Sequence, residues 1–214
     1  YGGIHYGLDV ASKNPLKWPK IRSELKRILE SENADLIHFC SRAPAWIGMP
    51  LGVILDIPII TSVHMRFRKS NVFKKYYNSI LTKGNTIIAI SKHIEESIKT
   101  YFPKVSGKIK IIHRGVDLDL FDPNKINPAR IIAQSKHLNL KDNVPVIIMA
   151  ARPAMWKGYQ ILIKALSKVK HDFQCVLIGA GDGNKKFQKI LINKIIQSKL
   201  ETKIRLINST RDIQ

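Results

Sequence analysis

The chain has 214 residues, 44% of them hydrophobic, and its 36 Lys and Arg against 16 Asp and Glu give a net charge of +20. That length allows one large or two small domains, and the apolar fraction supports a real core and excludes wholesale disorder. No run of about 18 uncharged apolar residues occurs, so no transmembrane helix is expected.

The ends, Tyr1 and Arg211-Asp212-Ile213-Gln214, read as mid-sequence text, so truncation at both ends is expected; a missing N-terminus would hide a signal peptide. The positive charge fits nucleic acid, anionic lipid head groups or a phosphate-bearing substrate. The cations are spread along a chain rich in Lys, Ile and Asn, which also fits a coding bias. Zinc-finger spacing, an aromatic RNA-binding strand signature and a basic heptad region are all missing, so the charge speaks to surroundings and not to chemistry. Cys40 and Cys175 lie in or at the end of apolar strand-like runs and are expected to be buried free thiols in a reducing compartment.

In chain order the pattern is β then α, repeated. Residues 34–39 read as a strand and 43–55 as a helix. Residues 58–63 form a second strand, with Thr61 and Val63 favouring β, and 71–82 an amphipathic helix ended by Gly84 as a C-cap. Residues 86–90 are a continuous apolar run, as expected of a strand buried on both faces. Ser91 caps the next helix, with Glu95 and Glu96 in its first turn. Residues 108–112 are a strand ending in His113-Arg114-Gly115-Val116-Asp117. Between 118 and 143 the periodicity weakens, with turn signals at Asp122-Pro123-Asn124 and Asn127-Pro128 and one helix over 127–137. A second series follows: a buried run at 144–150, then 158–170, 173–179, 184–199 and 203–207. Such alternation predicts an α/β fold with two Rossmann-like parallel-sheet domains, both incomplete in this chain: 1–117, a connection at 118–143, and 144–214.

Ligands of open α/β sheets bind beyond the carboxyl ends of strands, and most candidate chemistry falls there. Arg152 and Lys157 are five positions apart at a strand-to-helix turn. Two cations beside free helix N-terminal amides suit a diphosphate; an ordinary βα turn with two solvated cations is the alternative. Ile178-Gly179-Ala180-Gly181-Asp182-Gly183 sits between a strand and a helix, where glycines let a ligand approach the backbone or simply make a tight turn. Its third glycine is misplaced for a dinucleotide fingerprint. His64 ends a strand, with Arg66 and Arg68 after it, and either bonds a sugar hydroxyl or a reacting oxygen or is a structural histidine. His38 reads as a core or sheet-edge histidine, and His5, His93, His137 and His171 as surface residues. Glu95 and Glu96 read as helix charges, Asp117 as a turn former, and Arg114 as a residue open to the cleft or the turn. No His/Cys/acidic spacing points to a metal site.

Taken together these segments resemble a retaining glycosyltransferase of the GT-B fold, in the large family 4 group. Ala89-Ile90-Ser91-Lys92 is similar to the family's strand-end A-V-S segment. Residues 111–123 resemble its V-I-x-x-G-V-D-x-x-x-F-x-P interdomain stretch. Arg152 and Lys157 fall on its R-x4-K donor-phosphate pair, with Ala151 where Gly usually precedes the Arg. Ile178-Gly179-Ala180-Gly181 resembles its G-x-G donor loop, and Thr61-Ser62-Val63-His64 its T-x-H segment. Ser12-Lys13-Asn14-Pro15-Leu16 and Ser41-Arg42-Ala43-Pro44-Ala45-Trp46 are similar to a bacterial subgroup associated with envelope polysaccharide or lipopolysaccharide. The resemblance implies a sugar passed with retention from a nucleotide-sugar to a hydroxyl acceptor, glycan or lipid-linked, with no metal and no cofactor. It implies catalytic roles for Arg152, Lys157 and His64, donor contacts at Gly115, Gly179 and Gly181, and an acceptor side at Ser41, Arg42, Arg66 and Ser91. It implies a cytoplasmic protein, with an anionic membrane surface as a further partner and no nucleic acid. It also places the family's glycine-rich loop before Gly2-Gly3 and its E-x7-E motif after residue 214, so catalysis by this chain alone is in question. Two other readings stay open: a GT-B-type nucleotide-sugar epimerase, which needs acid/base carboxylates, and a non-catalytic basic protein that holds nucleic acid or a membrane surface.

Overall fold

A computed structural model describes residues 3–12, 14–67 and 71–211. Gly2, Lys13, Arg68 and the last three residues therefore lie outside the described residues. The chain divides into two compact units, Tyr1–Gly115 and Val116–Gln214, which places the whole 118–143 connection with the second unit.

The first unit holds α1 (Trp18–Ser31), β1 (Ile37–Phe39), α2 (Arg42–Ile54), β2 (Ile59–Val63), α3 (Val72–Ser79), β3 (Thr86–Ala89), α4 (Lys92–Tyr101) and β4 (Ile109–Ile111). Its four strands are all parallel, in the order β1-β2-β3-β4. Each of β1, β2 and β3 is followed by a helix because the short strand pattern gives way to a 3.6-residue apolar stripe at each turn. Ile37, Phe39, Ile59, Val63, Ile87 and Ala89 supply the strand side of the core, and Ala45, Ile94 and Ile98 pack onto it from α2 and α4. Each fully buried Ile or Phe contributes about 1.5–3 kcal/mol relative to exposure. The sequence reading assigned nothing to residues 18–31, yet Trp18, Ile21, Leu25 and Ile28 make a helical stripe. The helix α1 is tied to α2 by Arg22, whose Nε donates to the Ile47 carbonyl at 2.7 Å.

Three local expectations are corrected here. Gly84 does not end a helix in the left-handed conformation; the chain passes through a 3-10 turn at Ile80–Thr82 capped by Lys83. Glycine is needed at 84 because a Cβ would crowd the Thr86 and Ile59 carbonyls, at 3.0 and 3.1 Å. The strand β3 is fully buried on one face only, Ile87 and Ala89, with Thr86 and Ile88 half-buried. Cys40 is exposed, because alternation along β1 sends Ile37 and Phe39 inward and His38 and Cys40 outward.

The second unit holds α5 (Pro128–His137), β5 (Val146–Ala150), α6 (Tyr159–Leu166), β6 (Gln174–Ile178), α7 (Lys185–Gln197) and β7 (Ile204–Ile207), with parallel strands in the order β5-β6-β7. Asn127 and Asn184 cap α5 and α7 through their side chains. Tyr159, Ile163, Cys175, Leu177 and Leu191 are fully buried in the core between α6, α7 and the sheet. The expected buried run of β5 is buried on one side only: Ile147 and Met149 pack on the core, while Val146 and Ile148 are exposed. The strand lies at an end of the described sheet, where one face meets α6 and α7. Buried Gln174 fastens the entry to β5, accepting from the Lys141 amide at 2.9 Å and donating to the Lys141 and Val144 carbonyls. No helix among the described residues is long and apolar enough to cross a membrane.

Candidate functional site

In the second unit the segments following β5, β6 and β7 line a cleft of about 300 Å³. Arg152, Pro153, Gly179, Asp182, Ser209 and Thr210 are among its walls, at the strand ends where open sheets take their ligands. The strand ends are laced by main-chain bonds, Ala151 N–H to Ile178 O at 3.1 Å and Gly179 N–H to Ile207 O at 2.9 Å. Gly179 has φ of 86°, which glycine adopts without penalty, and a side chain there would strike the Ala151 carbonyl. A Cβ at Gly181 would meet Asn208, 2.9 Å from its backbone nitrogen. Gly179, in the wall of the cleft, is thus approached by the chain's own backbone, whereas Gly181, which is not among its walls, is met first by the Asn208 side chain. Behind that wall, the fully buried Tyr159 donates its hydroxyl to the Ala151 carbonyl at 2.5 Å, and burial raises its pKa. Its ring meets Phe187 edge-on at 5.5 Å.

Arg152 is exposed at the mouth of this cleft, whereas Lys157 is not among its walls. A 3-10 turn, Met155–Lys157, intervenes, and Gly158 at φ 91° opens α6 without a side-chain cap. The Lys157 ammonium rests 4.4 Å from the ring centroid of exposed Trp156. An exposed cation–π contact is worth about 0.5–1 kcal/mol, less than the roughly 1.5–3 kcal/mol of a charge-assisted hydrogen bond. A phosphate within reach would therefore draw Lys157 off the indole.

Asp182, Ser209 and Thr210 carry no role in the sequence reading, and Ser209 and Thr210 are not named in it; their position just past β7 is the signal that could have found the last two. The Asp182 carboxylate accepts from the Ser209 amide at 2.6 Å. The Ser209 hydroxyl first, and its amide second, hold the Asp182 pKa below the usual carboxylate value. A depressed folded pKa gives stability above the unfolded value that is lost as pH falls through the folded one. Asp182→Ala is therefore expected to lower the hydrogen-exchange protection of the Ser209 amide at neutral pH, while the native chain loses that protection only in acid below the usual carboxylate range.

In the first unit the strand-end residues cluster differently. His38 Nε2 and Ser62 Oγ are 2.7 Å apart, and Cys40 Sγ lies 3.7 Å from the same nitrogen. His64 Nδ1 is 3.2 Å from Arg114 Nη2. Burial, then Arg114, then His38 lower the His64 pKa. Ser91 is occupied as the α4 cap, accepting from the Ile94 amide at 3.3 Å. Ser41 precedes α2 without capping it, and the Nε of half-buried Arg42 is buried with no protein partner. Arg66 and Gly115 are exposed, and a Cβ at Gly115 would meet nothing within 4 Å. Asp117 accepts from the Asp119 and Leu120 amides, both at 3.0 Å, and so builds its turn. Among the described residues no group of three or more His, Cys, Asp or Glu is assembled as for a metal ion.

Two units of parallel βα repeats with polar strand-end loops define a Rossmann-like α/β protein, an architecture that the GT-B glycosyltransferases share. Residues 4–120 match the model of Glycosyltransferase Family 4, and residues 131–212 match that of Glycosyl transferases group 1. The chain belongs to Glycosyltransferase Family 4. Its fold matches a glycosyltransferase from Rickettsia africae ESF-5 with a TM-score of 0.80 and 34% identity, over 94% of this chain and 54% of that one. It also matches Anabaena HepE in complex with UDP-glucose, with a TM-score of 0.76 and 21% identity, over 94% and 55% of the two chains. Spore coat protein SA of Bacillus subtilis is 26% identical over 157 residues, which are 71% of this chain and 41% of that protein. The chain spans about half the length of these relatives.

Proposed function

We propose that this chain works within a retaining glycosyltransferase that moves a sugar from a nucleotide-sugar to a hydroxyl of an envelope glycan or lipid-linked acceptor. The observation that carries this reading is the cleft at the ends of β5, β6 and β7, with Arg152 at its mouth and Gly179 in its wall. It lies in the part of the chain that matches Glycosyl transferases group 1. Breaking the anomeric C–O bond leaves a nucleoside diphosphate, and Arg152 and Lys157 stabilise that growing negative charge without a metal. Gly179 lets the strand ends close on one another, so that the donor meets backbone at the wall of the cleft, and Gly181 makes a donor contact beyond it. On the first unit, His64 bonds a substrate oxygen, and Ser41, Arg42, Arg66 and Ser91 take the acceptor. Gly115 makes a further donor contact. The protein works in the cytoplasm at the inner face of the membrane: its net charge of +20 attracts anionic lipid, and Val72, Phe73 and Tyr76 of α3 stand exposed beside Lys74 and Lys75.

UDP and UDP-glucose are the first probes, since HepE, a protein of the same fold, was crystallised with UDP-glucose. Calorimetry is expected to show UDP binding this chain well above uridine, which lacks the diphosphate. Equal binding of UDP and uridine would remove the diphosphate site. NMR of the transferred sugar would decide the stereochemistry, and an inverted anomeric centre would overturn retention.

A further inference from the structure

The contact between His64 and Arg114 fixes more than a position. A guanidinium carries five N–H donors, no acceptor, and a proton it does not release in proteins. His64 Nδ1, 3.2 Å from Arg114 Nη2, must therefore offer a lone pair. A neutral imidazole with its lone pair at Nδ1 carries its single proton at Nε2. The other neutral tautomer would set N–H against N–H, and the imidazolium would add repulsion between two cations. The charged and titratable groups found to act on the ring are Arg114, from the segment after β4, and His38, from β1. Both disfavour the imidazolium, as does burial, the largest of the three effects.

We propose that Arg114 is a positioning residue that locks His64 as the neutral Nε2–H tautomer, so that the site offers its substrate a hydrogen-bond donor and not a base. The partner of such a donor is an oxygen with free lone pairs, a sugar hydroxyl or an ester oxygen of a sugar phosphate. His64 then takes no proton from the acceptor hydroxyl, because Nδ1 faces a cation and Nε2 is already protonated. Naming the partner a substrate oxygen rests on the glycosyl-transfer reading; the tautomer is a property of the unliganded chain.

The test is a long-range 1H–15N correlation spectrum of the full chain labelled with 15N-histidine, at mildly alkaline pH, with the His64 signals assigned by their loss in His64→Gln. The expected spectrum has Nδ1 in the unprotonated range and Nε2 in the protonated range. In Arg114→Met the His64 signals move toward a mixture of tautomers, and the titration midpoint of the ring rises because a repelling charge is gone. Arg114→Lys, which keeps a cationic donor, restores both. A native ring protonated at Nδ1, alone or together with Nε2, overturns the proposal without recourse to any variant. So does an Arg114→Met chain in which neither tautomer ratio nor midpoint changes. No substrate enters the measurement. A locked tautomer in a chain that neither binds UDP nor transfers sugar would sink the transferase reading alone, and an unlocked one in an active enzyme would sink this proposal alone.

Discussion

Arg152→Ala is expected to weaken UDP binding by roughly 10- to 100-fold, with little change in the unfolding midpoint. The reasoning starts from geometry. Arg152 is exposed at the cleft after β5, so its removal exposes no core and should cost less than about 0.5 kcal/mol of stability. A guanidinium bonded to phosphate is worth about 1.5–3 kcal/mol, and each 1.4 kcal/mol is about tenfold in affinity. Arg152→Lys should recover only part of the loss, because an ammonium lacks the planar fork that spans two phosphate oxygens. Lys157→Ala should act in the same direction, and the double change should depart from the product of the two single effects, because both cations act on one ligand. Uridine binding should be unmoved in all four variants. Calorimetry decides the matter: an Arg152→Ala chain that holds UDP as tightly as the native one leaves the cation without its assigned role.

Gly179→Ala should produce a large loss of stability in the second unit. Its φ of 86° costs an L-residue about 1–2 kcal/mol, and the new methyl would drive into the Ala151 carbonyl. Forcing a group into filled space adds about 1–3 kcal/mol, so a total of about 2–5 kcal/mol is expected in urea unfolding. Against a typical domain stability of about 5–15 kcal/mol that is a large fraction. The same substitution pushes on the residue next to Arg152, so UDP affinity should fall even under conditions where the unit stays folded. Gly115→Ala supplies the comparison, since a Cβ there meets nothing within 4 Å; its effect should stay within about 0.5 kcal/mol. Equal losses at 179 and 115 would show that the close approach to Ala151 is not what the glycine is for.

The alternation of strands and helices was legible because each strand is a short apolar run closed by a polar turn, and because Asn71, Ser91, Asn127 and Asn184 announce the helices they cap. The helix α1 was not assigned, although Pro19 stands in its first turn, where proline is at home. Burial was less legible than element type. Val146 and Ile148 look like interior residues in a string of letters, and only the packing shows that one face of β5 is covered and the other exposed. The residues of the candidate site were visible where a strand end carried an unusual side chain, as at His64 and Arg152. Asp182 and Ser209 were hidden because their link joins segments 27 positions apart, and the pairing of His64 with Arg114 spans 50. Spacing along the chain carries no signal for contacts of that kind; they follow from parallel strands delivering distant loops to one edge.

The two cysteines part company in a way that gives the chain a built-in handle. Cys175 is sealed in the middle of β6, and burial pushes its thiol up to about 11, so at neutral pH it stays protonated and out of reach of reagents. Cys40 stands in the open at the end of β1, beside His38. A maleimide dye should therefore attach at one site without any mutagenesis, and its emission would report directly on what arrives at the β1 edge of the first sheet.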